Sequence, residues 1–67
     1  MMLNQNWYYL VKEDFEDGKD KVKHFKGERL NFDGYVVTNA NGDVVFYVNS
    51  ENYMKYGVEV FNGKEIK

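Results

Sequence analysis

Cysteine and proline are absent from this 67-residue chain, and serine, histidine and arginine occur once each. Without cysteine there is no disulfide and no thiolate metal site, and a reducing compartment is the natural setting. A cytoplasmic protein is therefore expected. Nucleophilic catalysis by a triad has little to draw on, because Ser50 and His24 are the only serine and histidine. His24 lies in "KVKHFK", among cations, and reads as a surface or loop histidine. The glycines are isolated turn formers and build no phosphate-binding motif. "EDFEDGKD" lacks the ligand periodicity and the terminal Glu of a calcium loop. The expectation is a non-enzyme with no cofactor and no metal. No stretch approaches the roughly 20 apolar residues of a membrane span, and "MMLNQNWYYLVKED" lacks the features of a signal peptide. Met1 is read as the start of a complete small protein, with no membrane contact and a monomer expected.

What the chain does have is aromatic mass. Hydrophobic residues make up 43% and aromatic residues 18%, with six Tyr, five Phe and one Trp. Each of these rings can bury roughly 150–250 Å². A domain this short hides only about 60% of the surface its unfolded chain exposes, so a dense aromatic core is needed to hold it together. A single domain over residues 1–67 with a stability of a few kcal/mol follows.

Turn chemistry and strand patterns cover most of the sequence. "NWYYLV" is rich in aromatic and β-branched residues, and "YVVTNANGDVVFYV" is two apolar runs around Asn41-Gly42, a hairpin signature. A second hairpin is predicted in "VEVFNGKEIK" at Asn62-Gly63, and further glycine turns in "DGKD" and "FDGY". Only "SENYMKYG" leans towards helix, with Ser50 placed to cap its start and Gly57 to end it. The prediction is an all-β domain, a small closed or partly closed barrel of five to six antiparallel strands with one short helical or 3₁₀ turn. On the strand at 35–38, either Tyr35 and Val37 or Val36 and Thr38 face inward. On the next, Val44, Phe46 and Val48 oppose Val45 and Tyr47.

The net charge of −2 and pI of about 5.2 argue against broad affinity for nucleic acid. That small net value conceals two patches. Glu13, Asp14, Glu16 and Asp17 flank Phe15, and Lys19, Lys21, Lys23, Lys26 and Arg29 follow almost at once. Both can be solvated loop faces, or the acids can form a docking patch for a basic partner segment.

The order of "FKGERL" at 25–30, the hairpin at Asn41-Gly42, "YVNSENY" at 47–53 and "GVEVF" at 57–61 resembles the Src-homology-3 fold over roughly residues 7–61. "LVKEDF" stands where that family has its first tyrosine-bearing strand. The resemblance implies an SH3-like barrel of bacterial or phage type, with Asn52 and Tyr53 carrying over to the family's ligand face and Tyr35 and Phe15 as substitutes. Asp33-Gly34-Tyr35 stands where the family's tryptophan pair would be, and Asn49 where its proline would be. The Asn-, Lys- and Tyr-rich usage with one Arg points to an AT-rich genome.

One function is expected from these features, and two others stand as alternatives to it. The first is a protein-interaction module that binds a protein or peptide through Glu13, Asp14, Phe15, Glu16, Asp17, Tyr35, Asn52 and Tyr53, with Tyr56 as a further aromatic. The second is a nucleic-acid-binding barrel that uses Lys19, Lys21, Lys23, Lys26 and Arg29. The third is a small inhibitor of a larger bacterial protein.

Overall fold

Strand β1 (Trp7–Val11) is the spine of the domain. The computed structural model describes residues 6–17 and 21–66, so Lys19 lies outside the described residues. Short strands β2 (Phe15–Glu16) and β3 (Lys23–His24) follow, then β4 (Arg29–Phe32), β5 (Val36–Thr38), β6 (Val44–Tyr47), helix α1 (Glu51–Tyr56), β7 (Gly57–Phe61) and β8 (Lys64–Ile66). Six strands form an antiparallel sheet in the order β6-β5-β4-β1-β7-β8, and β2 pairs with β3 in a separate ribbon.

The all-β class, the antiparallel pairing and the single short helix are those the sequence led us to expect. The strand count is higher, eight among the described residues against five to six, and the sheet is open: β6 and β8 are both edges and do not meet. Two features account for the opening. Helix α1 packs on both β6 and β7, filling the side on which the sheet would close, and β8 is three exposed residues of which only Ile66 is apolar, the charges of Lys64 and Glu65 resisting burial.

Tyr9, Val11, Phe15, Leu30, Phe32, Val37, Phe46 and Tyr53 form one buried cluster, with Trp7, Val45, Val48 and Tyr56 packed against it. Its rings meet in tilted, stacked and edge-on pairs, including Tyr9 with Phe46 at 5.7 Å and Tyr9 with Tyr53 at 5.1 Å. The Tyr9 hydroxyl donates to the Tyr53 carbonyl at 2.5 Å, which joins β1 to the helix. Burial, with the neighbouring Tyr53 phenol second, raises the Tyr9 pKa well above that of an ordinary phenol. Glu59 receives hydrogen bonds from both Trp7 Nε1 at 2.5 Å and the Tyr53 hydroxyl at 3.4 Å, so this half-buried carboxylate is not left unsatisfied. The Tyr53 pKa is pushed up to about 12, first by burial, then by the charge of Glu59 and the bond to it.

Of the two inward choices on β5, Val37 is the buried one and Tyr35 points out. On β6 the alternation is interrupted. Phe46 is buried, but Val44 and Val45 are both half-buried, because the register shifts between Val37 and Thr38 and leaves Val45 as an extra residue. The β7–β8 hairpin is the tight two-residue turn expected of Asn-Gly, with φ of 53° at Asn62 and 80° at Gly63. The β5–β6 connection departs from that pattern. Of Asn41-Gly42 only Gly42 has a positive φ, and the turn is held by Asn39, whose Oδ1 accepts from the N–H groups of Asn41 and Asp43 at 2.9 and 3.0 Å.

Ser50 caps α1 as expected, its hydroxyl accepting from Tyr53 N–H at 3.2 Å. Gly57 does not end the helix by a left-handed cap. Its backbone is extended, and it is the first residue of β7. A Cβ there would overlap the Leu10 carbonyl and approach the Tyr9 ring to 2.6 Å, so glycine is required by the close approach of β7 to β1.

Candidate functional site

The acidic segment and the helix are far apart in sequence, yet they form the two walls of one groove. Its volume is about 380 Å³, and it is lined by Phe15, Glu16 and Asp17 on one side and by all four residues of β6, Ser50, Asn52 and Tyr56 on the other. Phe15 forms the floor. Its ring stacks on Tyr56 at 4.9 Å and on His24 at 5.0 Å, and lies tilted against Phe46 at 5.0 Å. Because successive strand residues face opposite ways, Phe15 turns into this stack and Glu16 turns to solvent. Asp17 is buried and closes the β2–β3 ribbon, its N–H donating to the Val22 carbonyl at 2.9 Å and its carbonyl accepting from Lys21 N–H at 2.6 Å.

Of the expected binding residues, Phe15, Glu16, Asp17 and Asn52 line this groove, but Phe15 and Tyr53 do not form an exposed aromatic strip. Both are enclosed in the core, Tyr53 on the side away from the groove, where its ring covers Tyr9 and Phe32. Glu13 and Asp14 are exposed and stand outside it. Asp14 acts locally, its Oδ1 accepting from Lys26 N–H at 2.7 Å and so tying the acidic segment to the turn after β3. Tyr35 is 67% exposed and meets the ring of Tyr47 edge-on at 6.1 Å, so it flanks the groove without lining it. Tyr47, half exposed at 50%, is the groove aromatic that sequence reasoning missed. The β6 alternation contains the signal, since Tyr47 sits opposite in phase to Phe46.

The basic residues do not gather on one face. Lys23 lies opposite Glu16 in the β2–β3 ladder, Lys26 is tethered by its backbone to Asp14, Arg29 covers the ring of Tyr8 at 4.6 Å on β1, and Lys21 is exposed at the ribbon end with φ of 56°. Acids are interleaved with them: a smaller concavity of about 230 Å³ has Lys23 beside Asp14, Glu16, His24 and Phe25.

His24 is not the surface histidine its neighbours in sequence suggested. It is 3% exposed, stacked on Phe15, with Nδ1 2.9 Å from Glu28 Oε2. The flat imidazole is accepted into the core because Phe15 offers a ring face and Glu28, four residues on, offers a hydrogen-bond partner.

Among the described residues no group of three or more His, Cys, Asp or Glu side chains could hold a metal ion, and no helix is long and apolar enough to cross a membrane. No family model matches the chain, and searches of curated proteins and of solved structures return no match.

Proposed function

We propose that this chain is a non-catalytic protein-interaction module of SH3-like type that takes a basic segment of a partner protein into the groove between β2 and β6. The observation that supports this reading is the lining itself. Among the described residues, the charged side chains that line the groove are Glu16, exposed, and Asp17, buried, both acidic, beside the half-exposed ring of Tyr47, the edge of Tyr56 and the amide of Asn52. Acidic walls steer basic partners and set orientation, and aromatic walls supply contact area at low entropic cost. A cytoplasmic setting, in a bacterium or phage, belongs to the same proposal and rests on the cysteine-free composition and residue usage. An inhibitory protein would use the same groove, and the identity of the bound segment distinguishes it from a general adaptor.

The test is an anisotropy titration of the full chain with a labelled Lys- and Arg-rich peptide at low and at physiological salt. Glu16→Lys is expected to weaken binding about tenfold at low salt, and less at high salt, because the lost attraction is screened. Glu16 is the residue to change because its side chain is exposed, whereas Asp17 is buried and holds the ribbon. No binding by the unaltered chain at low salt would end this reading.

A further inference from the structure

The groove has a second property besides its charge: one of its walls is the edge of a sheet. β6 is the last strand of the six-stranded sheet, no other strand among the described residues pairs with its outer side, and Val44, Val45, Phe46 and Tyr47 all line the groove. Tyr35 and Val48 stand opposite each other, with Val48 N–H donating to the Tyr35 carbonyl at 3.0 Å. Hydrogen-bonded and non-bonded pairs alternate along an antiparallel ladder, so Phe46 also turns its peptide groups to β5 and Tyr47 turns its N–H to the open side, while the Tyr47 carbonyl accepts from Ser50 N–H at 2.9 Å and keeps one lone pair for a further donor.

An open edge is a template for another strand, and proteins commonly blunt it with charge, especially Lys, or with proline. The other edge of this sheet is blunted in that way. β8 reads Lys64-Glu65-Ile66, and Glu65 is held by Lys12 at 2.5 Å. β6 reads Val-Val-Phe-Tyr, with no charge, no proline and four residues of high strand propensity. The bulge at Val45 twists one end of it, but Phe46 and Tyr47 keep regular register.

We infer that the groove binds its partner by strand addition. An extended segment with basic and apolar residues in alternation pairs antiparallel or parallel with β6, its basic face meeting the exposed carboxylate of Glu16. This inference rests on the groove reading above and goes further by assigning the conformation of the partner and the backbone groups that hold it. Strand addition draws affinity from main-chain hydrogen bonds and specificity from alternate side chains.

The experiment uses the unaltered full chain and three versions of one peptide, acetyl-Lys-Val-Lys-Val-Lys-Val-amide. The first is unmodified, the second is N-methylated at its valines and the third at its lysines. Alternate residues of a strand direct their N–H groups to the same side, so only one methylated set removes the donors aimed at β6. The expected result is that one set weakens binding about tenfold or more and the other changes it less than about threefold, while amide exchange of Tyr47 slows on binding the unmodified peptide. Equal effects of the two sets, with Tyr47 exchange unchanged, would overturn strand addition and leave the groove reading standing. No binding of the unmodified peptide would overturn both. Sedimentation of the free chain as a dimer that Tyr47→Lys converts to monomer would also overturn the inference, because a second copy would then own the edge.

Discussion

The two edges of the main sheet belong to the same ladder, yet they are built on opposite plans. Behind β6 lies packed core: Phe46 contacts Tyr9, Phe15 and Tyr56, and the acidic ribbon faces it across a groove. Behind β8 the packing is sparser: all three of its residues are exposed, Ile66 alone borders an apolar concavity with Val48, Tyr53, Met54 and Val58, and the strand's ion pair is the surface one of Lys12 and Glu65. The uncharged edge is therefore backed by core, and the charged edge is paired to β7 with its side chains in solvent. The strand addition proposed above needs preorganised backbone groups, and packed core behind an edge favours them. A solvent-facing edge needs only to be unattractive to other chains, and charge on β8 is sufficient for that.

The sharpest way to break this contrast is to remove the backing. Phe46→Ala is expected to cost about 3–5 kcal/mol, enough to unfold most of so small a domain, whereas Ile66→Ala, on β8, should stay within about 0.5 kcal/mol. Urea titration followed by circular dichroism measures both. If the two variants were equally stable, the difference in backing would not exist.

Next comes the junction between α1 and β7, which joins the two halves of the comparison. Gly57→Ala would press a methyl group into the Leu10 carbonyl and the Tyr9 ring, and a loss of about 1–3 kcal/mol is expected in the same titration. High pH probes the same region from its phenols. The Tyr53 pKa is about 12 in the folded chain against 10.0 for a free phenol, and Tyr9 is raised in the same sense. The folded state thus holds protons that the unfolded state releases. Stability from these groups is fully present below about pH 10 and is lost as pH rises through 10 towards about 12. Tyr53→Phe should make the decline in thermal midpoint across that window shallower.

The smallest effects lie at the charged edge. Glu65→Gln, which breaks the exposed pair with Lys12, should cost about 0.5 kcal/mol or less and lose even that in high salt. Binding sharpens the comparison further: Glu16→Lys should weaken capture of a basic peptide, and Glu65→Lys, on the other edge, should leave it unchanged.

Much of this architecture was legible in the residue order because its causes are local. Asn62-Gly63 makes its turn with the two positive φ angles that such a pair adopts readily, and Ser50 caps a helix three residues before the N–H it accepts from. Gly57 shows where local reading stops: a helix-ending glycine and a close-packing glycine are the same letter, and only the position of β1 distinguishes them. His24 shows the same limit. Its cationic neighbours in sequence pointed to solvent, while the groups that enclose it, Phe15 and Glu28, are reached only by pairing β2 with β3 and turning into β4. For the candidate site, Glu16, Asp17 and Asn52 could be named in advance from charge and resemblance. Tyr47 was half legible: alternation sets it opposite in phase to Phe46, but which face of the bulged strand meets the core is not a local property.

The sequence by itself determined the all-β class, the positions of the hairpins, the capped helical turn and the clustering of acids before the first long hairpin. Each of these follows from backbone preferences and side-chain chemistry within a few residues. Tertiary structure alone decided that the sheet stays open, that Phe15 and Tyr53 are core and Tyr47 is surface, and that an uncharged strand edge faces an acidic wall. Those outcomes depend on packing between residues distant in the chain, where the volume of one aromatic ring determines which other ring is left facing water.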